Sequence, residues 1–329
     1  MKVLVTGATG YVGHNLALAL AQNGEEVNIL VRNPGSTFIP RHPAINIFRG
    51  DITEKNSILP AIKGCEKVFH TAALVQYFTS NPSTLFDINV EGTRHVLDAA
   101  LQTGVKKFVF TSTAGVVGPS LNKPMSEADP RIAGFDNDYE LSKYLAEKLV
   151  VDYAGQGLFT AIATATKVYG PGIETHSISV NSVIWRFIKD KICFCPKPAD
   201  YVSNYVFIND LVRGHIQVSE RGRKGEKYIL GGENLSYTEF FKSLRTATGI
   251  KGKLLPVTKN IAALYGGWHF IQSKLYRREP FFTAKSVNQI YCNKSFSSSK
   301  AMEELGYIIT PFARGAQQTV RFLKNKTHE

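Results

Sequence analysis

The sequence predicts an α/β fold: a doubly wound parallel sheet with helices on both faces, joined to a smaller, discontinuous C-terminal substrate-binding domain. Two observations carry this. Short apolar strands alternate with helical stretches through the first half, at Val27–Val31, Ile45–Phe48, Lys67–His70, Lys107–Thr111 and Phe159–Thr164. Strands separated by helices of that size imply a parallel sheet covered on both sides. From about Tyr169 the alternation fails, with Gly170-Pro171-Gly172, Pro196 and Pro198 interrupting it. The boundaries predicted are therefore 1–168 for the first domain, with the chain returning to it near 204–218, and 169–329 for the second.

The first element is the most informative. Val3-Leu4-Val5-Thr6 runs into Gly7, Gly10 and Gly13, then into a helical pattern with Leu16, Leu18, Ala19 and Leu20 that stops near Gly24. Strand, Gly-rich turn and helix in that order form a site for a dinucleotide pyrophosphate. Gly7 permits the tight turn, Gly10 lets the backbone approach the phosphates, and Gly13 allows close helix–strand packing. The helix N-terminus offers free N–H groups to the anion. The sheet is thus expected to be of Rossmann type. The clearest of the intervening helices runs from about Pro82 to Thr103.

A second constellation follows. Tyr139 and Lys143 open a helical run with Asp136 and Asn137 available as caps. Positions four apart share a helix face, so the Lys143 ammonium can favour the Tyr139 phenolate and bring an acid/base pKa toward working pH. The strand ending Phe110-Thr111-Ser112-Thr113 places a hydroxyl at the carboxyl edge of the sheet, where open α/β sheets bind ligands.

These motifs in this order resemble the extended short-chain dehydrogenases/reductases, or epimerase/dehydratase family. Further matches are Gly50-Asp51-Ile52, His70-Thr71-Ala72-Ala73, Asn89-Val90-Glu91-Gly92-Thr93, Val168-Tyr169-Gly170-Pro171-Gly172 and Tyr205–Asp210. The resemblance implies an NAD(P)-dependent enzyme in which Tyr139 is the general acid/base and Lys143 lowers its pKa and binds the nicotinamide ribose. Thr113 takes the Ser/Thr position, with Ser112 its neighbour. The cofactor contacts it implies are Gly7, Thr9, Gly10, Tyr11, Val12, Gly13, Arg32, Asp51, Ile52, Ala72, Ala73, Asn89, Thr111, Tyr139, Lys143 and Val168. Asp210 reads as a structural cap for a helix beginning at Leu211, and His70 and His215 read as packing rather than catalysis.

Family members that select NAD usually end the second strand with an acid. Here Val31 takes that place and Arg32 follows, so a 2′-phosphate would meet a guanidinium instead of a carboxylate, and NADP(H) is favoured over NAD(H). Nucleotide-sugar members commonly carry an Arg just before the motif at Tyr205–Asp210, and an Arg-Pro upstream of Val168-Tyr169. Val202-Ser203-Asn204 and Thr164-Ala165 stand there instead, though Arg277 or Arg278 offers a substitute. The pattern is closer to the dihydroflavonol 4-reductase-like and 3β-hydroxysteroid dehydrogenase-like branch, which handles apolar ketones and alcohols. The rivals are a nucleotide-sugar epimerase/dehydratase using bound NAD and a non-catalytic NADPH-binding sensor.

Charge and cysteines bound the rest. Of 39 Lys+Arg and 27 Asp+Glu, residues 1–212 hold 19 of each, so the net +12 falls on residues 213–329. No nucleic-acid motif accompanies it, and no nucleic-acid partner is expected. The four cysteines are sparse; Cys193-Phe194-Cys195 reads as core or pocket lining, and no metal is expected. A first strand directly after Met1-Lys2, with reduced thiols, predicts a cytoplasmic protein. The stretch Lys251–Lys285 carries seven cations and one acid, with apolar residues on one helical face from Ile261 to Leu275. A basic amphipathic helix can lie on anionic lipid, but the pattern favours packing on the protein's own core with a solvated basic edge. Either arrangement makes an apolar lid for a small-molecule substrate. Homodimers through paired helices are common in such folds.

Overall fold

Seven parallel strands in the order β3-β2-β1-β4-β5-β6-β10 form the centre of the protein, seen in a computed structural model that describes residues 1–77, 81–173, 180–275 and 284–325. In chain order the first half comprises β1 (Lys2–Thr6), α1 (Tyr11–Gln22), β2 (Glu26–Val31), β3 (Ile45–Arg49), α2 (Lys55–Ile62), β4 (Lys67–His70), α3 (Pro82–Phe86), α4 (Gly92–Gln102), β5 (Lys107–Thr113), α5 (Asp138–Gly155) and β6 (Thr160–Ala165). The second half comprises β7 (Lys167–Tyr169), α6 (Val180–Asp190), β8 (Ile192–Lys197), β9 (Val202–Phe207), α7 (Ile208–Arg221), β10 (Lys227–Leu230), β11 (Glu233–Ser236), α8 (Tyr237–Thr248), β12 (Lys253–Thr258), α9 (Lys259–Leu275), α10 (Ala284–Ile290), α11 (Ser299–Leu305) and α12 (Phe312–Asn325).

The strands are apolar almost throughout because both faces are covered. Val3, Val5, Val27, Ile29, Val109 and Ala161 pack into one core with Leu16 and Leu20 of α1 and Leu211 and Val218 of α7. Leu4, Val68, Phe108, Phe110 and Ile162 pack into the other with Ile58 of α2, Val96 and Leu97 of α4 and Val150 of α5. The order of connection reverses between β1 and β4, and in open α/β sheets the ligand crevice lies at such a point, outside the carboxyl ends of the strands.

Three expectations are adjusted. The helix expected from Pro82 to Thr103 is two α-helical pieces joined by a π-helical turn, Asp87–Glu91. The helix expected at Leu211 begins at Ile208, so Asp210 lies within its first turn instead of capping it. The buried Asp210 carboxylate accepts hydrogen bonds from Thr310 N (2.6 Å), Thr310 Oγ1 (2.8 Å) and Arg213 Nη2 (2.7 Å), tying α7 to the segment before α12. Its role is structural, by a different contact from the one expected. Finally, α7 and β10 bring residues 208–230 onto the main sheet, β10 pairing with β6 from Lys227↔Ile162 to Leu230↔Ala165.

The remaining strands form two small sheets, β11-β9-β7 and β12-β8. Cys193 and Cys195 alternate inward on β8, while Phe194 between them is exposed. Among the described residues no group of His, Cys, Asp and Glu is placed to hold a metal ion, and no helix is long and apolar enough to cross a membrane.

Candidate active site

The glycine loop leaves β1 at the crevice and is packed to contact. Gly7 sits at φ +74°, and a Cβ there would lie 2.6 Å from Ala72 N and 2.8 Å from Thr71 Oγ1. A Cβ at Gly13 would lie 2.3 Å from Gly7 O, so only glycine lets α1 start this close to the strand. Gly10 differs: a Cβ there meets only Gly7 O, at 3.2 Å, leaving its outer side open. Gly10 also stands at the N-cap of α1 with no side-chain cap and no acid in the first turn. Uncapped N–H groups and the positive end of the helix dipole therefore face the crevice. This cradle fits a pyrophosphate.

The other residues expected along the crevice divide by what holds them. Tyr11 donates its phenol proton to Gly170 O (2.6 Å) and accepts from Asn181 Nδ2 (3.3 Å), so its side chain joins the glycine loop to Gly170-Pro171-Gly172. Val12 packs on the core beside it, and Thr9 is partly exposed. Arg32 is exposed just beyond β2. Asp51 Oδ1 accepts from Thr53 N and Oγ1 (3.0 and 2.9 Å), while Ile52 is buried against Gly92. Ala72 and Ala73 follow β4, half-buried. Asn89, inside the π-turn, is buried and fully engaged. Leu74 N donates to its Oδ1 (2.7 Å), and its Nδ2 donates to Leu74 O and Ser142 Oγ (both 3.0 Å). It therefore holds the wall of the groove onto α5. The Thr111 hydroxyl is paired with His215 Nε2 at 2.8 Å, on the α7 side of the sheet. Val168 is half-buried in β7. Arg277 and Arg278 lie outside the described residues.

Of the two caps offered for α5, Asn137 is the one used: its side chain accepts from Glu140 N at 2.9 Å. One turn apart on the buried face of that helix stand Tyr139 and Lys143. The Lys143 ammonium lies 3.9 Å from the centroid of the Phe110 ring, a cation–π contact. Burial pushes this amine down to about 7, against the opposing pull of Glu147. Burial raises the Tyr139 phenol, as do the neighbouring Tyr77 and Glu140; the Tyr77 ring meets the Tyr139 ring edge-on at 5.8 Å. Thr113 ends β5, and its hydroxyl accepts from Gly115 N (3.2 Å). Ser112 is buried with its hydroxyl unpaired among the described residues.

Sequence reasoning missed the group that fixes this corner. Glu140, next to Tyr139, is buried and accepts from Arg131 Nη2 (3.2 Å), Gln289 Nε2 (3.3 Å) and Lys294 Nζ (3.5 Å). Arg131 also donates to Gly115 O, Val116 O and Gly134 O. The partners of Glu140 lie up to 154 positions away in sequence, beyond any local pattern.

The apolar row of α9 corrects a further expectation. Ile261, Leu264, Tyr265 and Trp268 are 57%, 76%, 57% and 60% exposed, while Ala262 on the opposite side packs with Val287 and Tyr291. The row faces outward rather than onto the core, and Leu264 and Trp268 line an open surface depression with Asn260, Ala263 and Gly267. The side chains of Ile271 and Leu275 lie outside the described residues.

Residues 3–231 match the NAD dependent epimerase/dehydratase family. The chain is 31% identical over 322 residues to a 3-beta-hydroxysteroid dehydrogenase of Mycolicibacterium neoaurum, covering 93% of this chain and 86% of that protein. It is 28% identical over 333 residues to a putative dihydroflavonol 4-reductase of Synechocystis sp., covering 98% and 94%. The fold is shared with the UDP-glucose 4-epimerase of Thermotoga maritima at a TM-score of 0.82 over the full length of both chains, with 22% identity. The glycine cradle, the parallel sheet and the Tyr-Lys helix define an NAD(P)-dependent enzyme of the extended short-chain dehydrogenase type. The chain belongs to the NAD dependent epimerase/dehydratase family.

His70 and His215 give the site's supporting layer a pH dependence. His70 pairs with Thr6 and Thr93 hydroxyls at 2.6 and 3.0 Å, and His215 with Thr111 Oγ1 and Leu211 O, both at 2.8 Å. Burial, helped by the charge of Lys143, pushes His70 down to about 3. Burial pushes His215 down to about 4, opposed by the Leu211 carbonyl. Unfolded, both titrate near 6.5. The unfolded chain therefore binds protons that the fold refuses, and stability is complete above pH 6.5 and lost as pH falls toward 4. Urea midpoints should drop between pH 7.5 and pH 5, each histidine contributing roughly 2 kcal/mol. His215→Gln should lessen the drop; equal midpoints at the two pH values would refute it.

Proposed function

We propose that this protein is an NADP(H)-dependent oxidoreductase that interconverts a ketone or aldehyde and an alcohol on a small, largely apolar substrate. The observation that carries the reading is the pairing of Tyr139 and Lys143, both buried and one turn apart on α5, in a fold whose glycine cradle fits a dinucleotide. When bound, the nicotinamide supplies or takes up the hydride. Tyr139 donates its proton to the developing alkoxide, Thr113 orients that oxygen, and Lys143, in its protonated form, works against the burial that raises the phenol. Gly7, Thr9, Gly10, Val12 and Gly13 hold the pyrophosphate, with Asp51, Ile52, Ala72 and Ala73 along the groove.

The named relatives, a steroid dehydrogenase and a putative dihydroflavonol reductase, favour an apolar substrate. A nucleotide-sugar epimerase remains the second reading, favoured by the shared fold of the UDP-glucose epimerase. Against it, the place of the usual arginine is held by Ser203 and Asn204, both buried, and the one ammonium on Ser203, that of Lys167, lacks a guanidinium's paired donors for a diphosphate. Asn204 is spent on Gly232 O and Asn234. An intact Thr113–Tyr139–Lys143 set argues against a non-catalytic sensor.

NADPH absorbance followed with flavanonols, 3-ketosteroids, β-keto acyl compounds and aromatic aldehydes, beside UDP- and dTDP-hexoses, tests the reaction. An apolar ketone should turn over, and Tyr139→Phe should slow it by about 10²–10⁴-fold while NADPH still binds. Conversion of a nucleotide sugar with no net NADPH consumed would promote the second reading.

Cofactor choice rests on Val31 and Arg32. Calorimetry should find NADP(H) bound more tightly than NAD(H), with Arg32→Ala narrowing the gap by about 1.5–3 kcal/mol, the range for hydrogen bonds to charged groups. Equal affinities in the unaltered protein would overturn the preference.

The outward row of α9 supports a partner as well as a substrate. Four apolar side chains at i, i+3, i+4 and i+7, next to Lys251, Lys253 and Lys259, suit an anionic lipid surface. Sedimentation with phosphatidylserine-containing vesicles should exceed that with phosphatidylcholine alone and fall with Leu264→Asp/Trp268→Asp. Equal sedimentation with both would overturn the anionic-lipid reading, and a concentration-dependent dimer abolished by the same changes would assign the row to a second copy.

A further inference from the structure

Lys167 carries a charge with no ion-pair partner among the described residues. It is the second residue after Ala165, the strand partner of Thr113, so about 7 Å of extended chain separates it from the level of the reaction residues. On β7 it pairs with Tyr205 of β9. Its ammonium donates to Ser203 Oγ at 2.7 Å and lies 5.7 Å and 5.9 Å from the ring centroids of Tyr205 and Tyr237. Among the described residues no carboxylate stands within 4 Å of it.

The charged groups nearby are already committed. The Cys292 thiol lies within electrostatic reach of Lys294, Asp136, Lys167 and Glu140. Lys294 contacts Asp136 at 3.6 Å and Glu140 at 3.5 Å, and Arg131 contacts Glu140 at 3.2 Å. Among the described residues of this cluster, Arg131, Lys294 and Lys167 are three cations against the two acids Asp136 and Glu140, and Lys167 is the cation without an acid partner. An ammonium among tyrosine rings, given one neutral hydroxyl, is poorly compensated for the water it has lost. An anion arriving there gains a charge-assisted hydrogen bond from Lys167.

We propose that Lys167 and Ser203 form a subsite for an anionic oxygen group, a carboxylate or a phosphate, borne by the substrate near its reacting carbonyl. This rests on the reading of Thr113, Tyr139 and Lys143 as the reaction site. It refines that reading: the substrate is apolar in bulk but carries one anionic end. Burial foremost, with repulsion from Lys294, lowers the Lys167 amine to about 8, so at neutral pH it is still mostly charged.

The test uses the full chain saturated with NADPH and probes that cannot be reduced: phenylacetate, phenyl phosphate and the neutral phenylacetamide. Calorimetry should show at least one anion binding tenfold or more tightly than the amide, the better one distinguishing carboxylate from phosphate. Lys167→Met should bring that ratio close to one. Should that variant not fold, the pH profile of the unaltered protein decides. Binding of the favoured anion should fall as pH rises through about 8 while amide binding stays level; Cys292, Tyr205 and Tyr237, all raised by burial, remain neutral there. Equal binding of all three probes, a preference kept by folded Lys167→Met, or a flat profile would overturn the subsite. Because these probes are not turned over, the result is independent of whether the ketone panel succeeds.

Discussion

Placement of the Tyr139 phenol depends on the carboxylate next to it in sequence. Glu140 lies on the buried side of α5 and is held by a guanidinium from the loop before the helix, by Lys294 and Gln289 from the far end of the chain, and by the backbone N–H of Asp136. Arg131 reaches on to two carbonyls of the turn that follows Thr113. One anion thereby connects the end of β5, the start of α5 and the segment between α10 and α11. Removing a single partner would strand a charge in a dry setting, which is costlier than the pair is stabilising. Such a joint holds a hydroxyl and a phenol in fixed relation although they come from different elements.

The cofactor side is organised by contact distance rather than by charge. Gly7 and Gly13 are packed against the β4 exit and against each other's backbone, so α1 begins at the lip of the crevice. The Asn89 amide performs the matching task opposite, clamping Leu74 to α5. The π-turn that carries it adds a residue to the helical turn, and this sets the amide on the side where both Leu74 and Ser142 are within reach.

Much of this was legible because the informative signals are local. The glycine spacing, the five strands of the first half and the one-turn separation of Tyr139 from Lys143 depend on neighbours in sequence, and each is found where expected. What escaped depends on distant partners. β10 is four residues long and looks like any short apolar run until it meets β6. Glu140 and Lys167 resemble solvated charges in the sequence and are told otherwise only by what folds over them. The α9 row was misjudged because periodicity reports that a helix has an apolar face, not which way the face is turned.

Tyr11 links the two halves of the crevice in a further sense. Its backbone belongs to the loop that fits a pyrophosphate, while its phenol holds Gly170, three residues after Lys167. Asn181 of α6 grips the same carbonyl and the same phenol, at 2.8 and 3.3 Å. A displacement of the glycine loop would therefore reach Gly170, which follows the far end of the short strand that Lys167 begins. By linkage, any coupling carried through this contact would be of equal size in both directions.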